Sequence, residues 1–214
     1  VTYIAAKQTD IVSNVSGMSN VQVTQIDLVA PSAEIIFAPV QVAYKLDDVI
    51  EITLVVSETL QSTPVLTLAP HGQSAIPITL TSLGNNAYSG TITILESYQD
   101  GVAVFSYTGT DMAGNIGTSI TSGGSFVIDK AAPVFTLNAG TLVTNDDTRF
   151  FDGSVSDAVA GVGDVTISVN GAEPVICNIV GNTWSAPEIT FVSGVNTVEV
   201  TATDNIGNSA TVSA

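Results

Sequence analysis

Thr110-Asp111-Met112-Ala113-Gly114-Asn115 is one of three copies of a single phrase, Thr-Asp-x-x-x-Asn. The others are Thr9-Asp10-Ile11-Val12-Ser13-Asn14 and Thr203-Asp204-Asn205-Ile206-Gly207-Asn208. Asp10 and Asp111 lie 101 residues apart, and Asp111 and Asp204 lie 93 apart. A second phrase, Ile-Asp-x-x-Ala-Pro, occurs as Ile26-Asp27-Leu28-Val29-Ala30-Pro31 and as Ile128-Asp129-Lys130-Ala131-Ala132-Pro133. Its two prolines are 102 residues apart. Self-similarity at a fixed period marks a tandem array. A unit of about one hundred residues is the size of an immunoglobulin-like sandwich.

The residues before each Asp-x-x-x-Asn phrase alternate apolar and polar, with the period of a half-buried strand. Ile4 and Ala6, Phe105 and Tyr107, and Val198 and Val200 are expected to face inward. Ile50, Ile52, Leu54 and Val56 line one face of another strand, with Glu51, Thr53 and Val55 opposite. Val165, Ile167 and Val169 alternate up to Asn170-Gly171, a two-residue hairpin signal. Asn85-Asn86 marks another turn. No stretch shows helical periodicity, and Val, Ile and Thr dominate, as strands prefer.

The predicted fold is all-β: tandem immunoglobulin-like antiparallel β-sandwiches. Residues 1–30 read as the C-terminal strand hairpin of a preceding or truncated unit. Residues 31–130 and 131–214 read as sandwiches of about seven strands each. In the second, strands are expected near 134–137, 149–156, 164–169, 174–180, 183–191, 196–203 and 209–213. Pro31 and Pro133 restrain the backbone on either side of each seam, which predicts short, stiff linkers.

Composition narrows the function. Twenty acids face four bases, Lys7, Lys45, Lys130 and Arg149, for a net charge of −16. That excludes nucleic acid, which needs clustered cations. It suits divalent cations and an extracellular or cell-surface location. No apolar run reaches the roughly 18 residues of a membrane helix, so no membrane insertion is expected. Cys177 is the lone cysteine and alternates like a buried strand residue. Trp184, the lone tryptophan, reads as a core aromatic, with a sugar-stacking platform as the alternative. His71 falls in a loop, no Gly-x-Ser-x-Gly elbow occurs, and Asp47-Asp48 and Asp146-Asp147 read as solvated turns. The chain is not expected to be an enzyme.

Ala-Thr-Asp-x-x-Gly-Asn before a final strand, with Ile-Asp-x-x-Ala-Pro at the seam, resembles the tandem bacterial immunoglobulin-like (Big) domains of large secreted surface proteins and adhesins. Val165-Thr166-Ile167-Ser168-Val169-Asn170-Gly171 and Asn182-Thr183-Trp184-Ser185 carry the same likeness. The first copy departs from it, with Ser13 at the glycine position. The resemblance implies a structural extender, a stalk segment, whose partners are neighbouring domains of the same chain and a host, glycan or surface ligand. The alternative is a carbohydrate- or protein-binding accessory module.

In such a sandwich the B–C and F–G loops lie where the chain enters. Each seam aspartate should therefore meet both loops of the following unit. Two acidic trios result: Asp27, Glu58 and Asp111, then Asp129, Asp157 and Asp204. Asn115 and Asn208 either add amide oxygens or cap the turns. Crowded carboxylates repel unless a cation neutralises them, and oxygen-only ligands favour calcium, which is expected to rigidify the interdomain seams and hold adjacent units in line. The competing reading has each aspartate binding backbone N–H groups in its own turn.

Overall fold

A computed structural model describes residues 2–4, 6–18, 22–138 and 147–214. Every regular element among them is a strand. The fold is an array of immunoglobulin-like β-sandwiches with two separate apolar cores, one drawn from residues 33–128 and one from residues 151–202.

The first core lies between two sheets. One places Ser119–Ser122, Ser32–Ala38, Val49–Val56, Ala87–Thr93 and Thr81–Gly84 side by side. The other is built on Gly101–Thr110, which pairs with Val65–Ala69, Ile116–Gly117 and Ser125–Ile128, while Ile76–Ile78 extends the edge. Ile50, Ile52, Leu54 and Val56 are buried, as their alternation predicts, and so are Phe105 and Tyr107. Phe37, Phe105, Phe126 and Tyr44 pack together with ring centroids 5.4–5.9 Å apart. Such aromatic pairs add roughly 0.5–1.5 kcal/mol each beyond area burial.

One pairing departs from an antiparallel sandwich. Ser119–Ser122 runs parallel to Ser32–Ala38, with Ser119 opposite Ser32 and Ile120 opposite Ala33. The first and last parts of the unit are thereby joined edge to edge.

The second core lies between Val134–Phe135, Asp152–Ser156, Thr183–Ser185 and Asn178–Val180 on one side and Val175–Ile176, Val162–Val169, Val198–Asp204 and Ser209–Ser213 on the other. Three long strands expected here are broken. The 174–180 stretch splits at Cys177, which is buried while the chain changes sheets around it. The 183–191 stretch splits around Pro187, where Ile189–Thr190 leaves to pair with Thr148–Arg149. The 149–156 stretch splits at Phe150-Phe151 for the same reason. Phe151 turns into the core and Phe150 is left 73% exposed.

The N-terminal segment forms a two-stranded ladder, Thr2–Ile4 with Gln22–Thr24. Ala6 is exposed rather than inward, because among the described residues this hairpin has no facing sheet. The side chain of Ile4 and part of the Asp146-Asp147 pair lie outside the described residues.

Trp184 fixes the second core. It is 1% exposed, and its indole Nε1–H donates to the carbonyl of Thr136 at 3.0 Å. Gly153 sits opposite it in the ladder. A Cβ on Gly153 would lie 1.8 Å from the Thr136 oxygen and 2.7 Å from the indole nitrogen. Gly153→Ala is therefore expected to destabilise the second unit by about 1–3 kcal/mol. Gly124→Ala, where the nearest atom is 3.6 Å away, should cost far less. Denaturant unfolding of the two variants measures the difference.

Candidate metal centres

Each seam is organised by the same turn. In Asp111-Met112-Ala113-Gly114-Asn115, the Asp111 Oδ1 accepts the N–H groups of Ala113 and Asn115, both at 2.8 Å. Asp204 repeats this with Ile206 and Asn208 at 2.9 and 2.8 Å, and Asp10 with Val12 and Asn14 at 3.0 and 2.9 Å. The fourth residue is left-handed in every copy: φ is +67° at Ser13, +96° at Gly114 and +89° at Gly207. Glycine occupies that position without steric penalty, whereas serine does not.

The turn also fastens the linker. Asn115 donates its amide N–H to Asp111 Oδ2 at 2.8 Å and to the Asp27 carbonyl at 3.2 Å. Asn208 does the same to Asp204 Oδ2 at 2.7 Å and the Asp129 carbonyl at 3.1 Å. The asparagines thus act as caps and ties through their nitrogens.

The structure assembles both expected trios. Carboxylate oxygens of Asp27, Glu58 and Asp111 lie within 4.8 Å of one another, and so do those of Asp129, Asp157 and Asp204. Asp111, Asp129 and Asp204 are buried, and Asp27, Glu58 and Asp157 are half-buried. The turn reading and the cluster reading prove compatible. Asp27 Oδ1 accepts Val29 N–H at 3.0 Å, and Asp157 Oδ1 accepts Val159 and Gly161 at 3.0 and 2.7 Å, while both carboxylate oxygens of Asp111, Asp204 and Asp129 accept N–H groups. Glu58 has no hydrogen bond among the described residues. The donor set that remains is oxygen-only and anionic, which fits a hard cation such as calcium.

The electrostatics register the crowding. Burial pushes the Glu58 carboxyl above its ordinary range, and the charges of Asp111 and Asp27 push it further. Burial also raises Asp129, joined by the charges of Asp157 and Asp100, and outweighs the N–H groups of Ala131 and Ala160 that stabilise its anion. Burial acts upward on Asp111 too, but the side-chain and backbone hydrogen bonds from Asn115, with those from Ala113 and Gly114, hold it below the usual value.

Sequence reasoning missed the contacts from the preceding unit. Asp129 N–H donates to the Tyr44 carbonyl at 2.9 Å, and Lys45 Nζ donates to the Gly207 carbonyl at 3.4 Å. These are mostly backbone partners, which leave no residue signature. Trp184 is no sugar platform, being buried. A shallow groove of about 480 Å³ does cross its sheet, lined mainly by hydroxyl and amide side chains including Thr136, Asn138, Ser154 and Asn178. No exposed aromatic lines it.

The chain matches no protein-family model and no curated protein. Among solved structures it is similar to a tetra-tandem repeat in the extending region of a large adhesion protein, at 18% identity and TM-score 0.37, covering 86% of this chain and 48% of that one. It is similar also to part of a 1.5-MDa bacterial ice-binding adhesin, at 21% identity and TM-score 0.47, covering 89% and 64%. A DUF4785 family protein of Legionella pneumophila aligns at 13% identity and TM-score 0.36, covering 83% and 53%. The chain thus spans about half to two thirds of the solved chains it matches.

Glu58 provides a test of the crowding. A carboxyl whose folded pKa is raised contributes its stability below the unfolded pKa, and that contribution is lost as pH rises through the folded value. Without divalent cations, Glu58→Gln should therefore raise the melting temperature at neutral pH. The gain should vanish as pH falls below the ordinary glutamate value of 4.5. Melting curves in chelator across that range check it.

Proposed function

We propose that this chain is a structural extender, a stalk segment of a secreted or cell-surface protein of the adhesin kind, whose seam carboxylates take calcium. The observation that carries this is the repetition. The same trio, made of a seam aspartate, an acid of the B–C loop and the aspartate of the last turn, forms at two seams 102 residues apart. A chance cluster of acids would not recur in the same three structural positions.

The chemistry supports the reading. Two of the three acids in the second trio are buried, and a buried carboxylate without a counter-charge is costly. Calcium accepts six to eight oxygen ligands in flexible geometry, so it tolerates carboxylates whose oxygens also accept N–H groups from the turns around them. Asp27, Glu58 and Asp111 would hold one ion, and Asp129, Asp157 and Asp204 another. Each ion would join a seam to two loops of the unit that follows it. The partners are then the neighbouring units, with a distal host, glycan or surface ligand recognised elsewhere in the parent protein.

Calcium at about tenfold above its dissociation constant should add roughly 1.4 kcal/mol per site. That corresponds to a rise in melting temperature of about 5–10 °C for a unit of this size. Calorimetry of the chain with calcium and with chelator tests it. Asp129→Ala should abolish the rise of the second unit, and Asp10→Ala, outside both trios, should leave it intact. Identical responses from wild type and Asp129→Ala would overturn the calcium reading.

A further inference from the structure

The two seams carry the same trio but are not held alike. At the first, Asp27 receives Val29 N–H on its carboxylate and Asn115 on its carbonyl, and both Ile26 and Leu28 beside it are exposed. At the second, Asp129 is fully buried and clamped from both sides. Its N–H donates to the Tyr44 carbonyl at 2.9 Å, and Tyr44 N–H donates to the Val127 carbonyl at 2.9 Å, so its main chain still belongs to the first unit. Its Oδ2 accepts Ala160 N–H at 2.8 Å, and its carbonyl accepts Asn208 at 3.1 Å, so its acceptors belong to the second. No free residue separates the two units at this point.

Two of the chain's four cations reinforce the same junction. Lys130 follows Asp129 and is tied back to the first unit: its N–H donates to Asp100 Oδ1 at 2.9 Å and its Nζ to the Glu96 carbonyl at 2.6 Å. Lys45 reaches forward from the first unit to the Gly207 carbonyl in the last turn of the second. The Asp129 bonds lie in a buried setting, where breaking one leaves an unpaired polar group, and the exposed lysine bonds add ties across the same junction.

We propose that the Asp129 junction is a rigid joint that keeps its alignment without any metal ion. Protein hydrogen bonds hold it there, and the trio's calcium, which rests on the function proposed above, adds stability but not alignment.

Spin-label distance measurement on the full chain tests this, with Thr91→Cys and Glu199→Cys as labelled positions on exposed faces of the two units. The native Cys177 is buried and its thiol is pushed up to about 11 by burial, so it stays unlabelled. The expected result is a narrow distance distribution that is unchanged by excess chelator. Broadening in chelator would overturn the proposal, whether or not calorimetry detects calcium binding. In chelator, Asp129→Ala should broaden the distribution. Lys45→Ala with Lys130→Ala, two surface changes that leave the cores untouched, should broaden it as well. A distribution that stays narrow in the lysine variant would also overturn the proposal.

Discussion

A buried aspartate with partners on both sides is the constraint from which the second half of the molecule follows. Asp129 is fully buried, yet it satisfies its N–H, its carbonyl and its carboxylate with groups from two different units. A charged group buried this deeply is tolerated only when hydrogen-bonded. Those hydrogen bonds in turn require the last strand of one unit, the B–C loop of the next and its final turn to meet at one place. Asp157 and Asp204 converge there because the loops that carry them are drawn to the same seam. The crowding of carboxylates thus follows from joining units without a spacer, and it is the feature on which the proposed calcium sites rest.

Much of this was legible in the sequence because it repeats. A single Asp-x-x-x-Asn turn is commonplace, but three copies at a domain-sized interval, with a second phrase in step, assign each aspartate a position in a sandwich. From those positions the trios follow by topology alone. Strand faces such as Ile50 to Val56 were legible because alternation is strict where one side is core and the other water.

What escaped did so for physical reasons. Ser119–Ser122 is a run of small polar residues with one isoleucine, and it is held by pairing rather than by its own side chains, so it shows no alternation. The breaks at Phe150-Phe151, Cys177 and Pro187 arise where a strand trades one sheet for another, a tertiary event that a local pattern does not encode. The tie from Tyr44 to Asp129 joins backbone to backbone and leaves nothing to read. Ser13 is the opposite case: its departure from glycine was visible, and the structure shows it holding the same left-handed angle.

The parallel pairing of Ser119–Ser122 with Ser32–Ala38 has a mechanical consequence. Tension along an array enters a unit just before Ser32 and leaves just after Ile128. The load first acts on Ser125–Ile128 along its pairing with Gly101–Thr110, and then draws Ser119–Ser122 along Ser32–Ala38. Their hydrogen bonds are loaded together, in shear, instead of being peeled apart one at a time. A shear-loaded ladder yields only when several bonds fail at once, so a unit of this design resists pulling better than its thermodynamic stability alone would suggest.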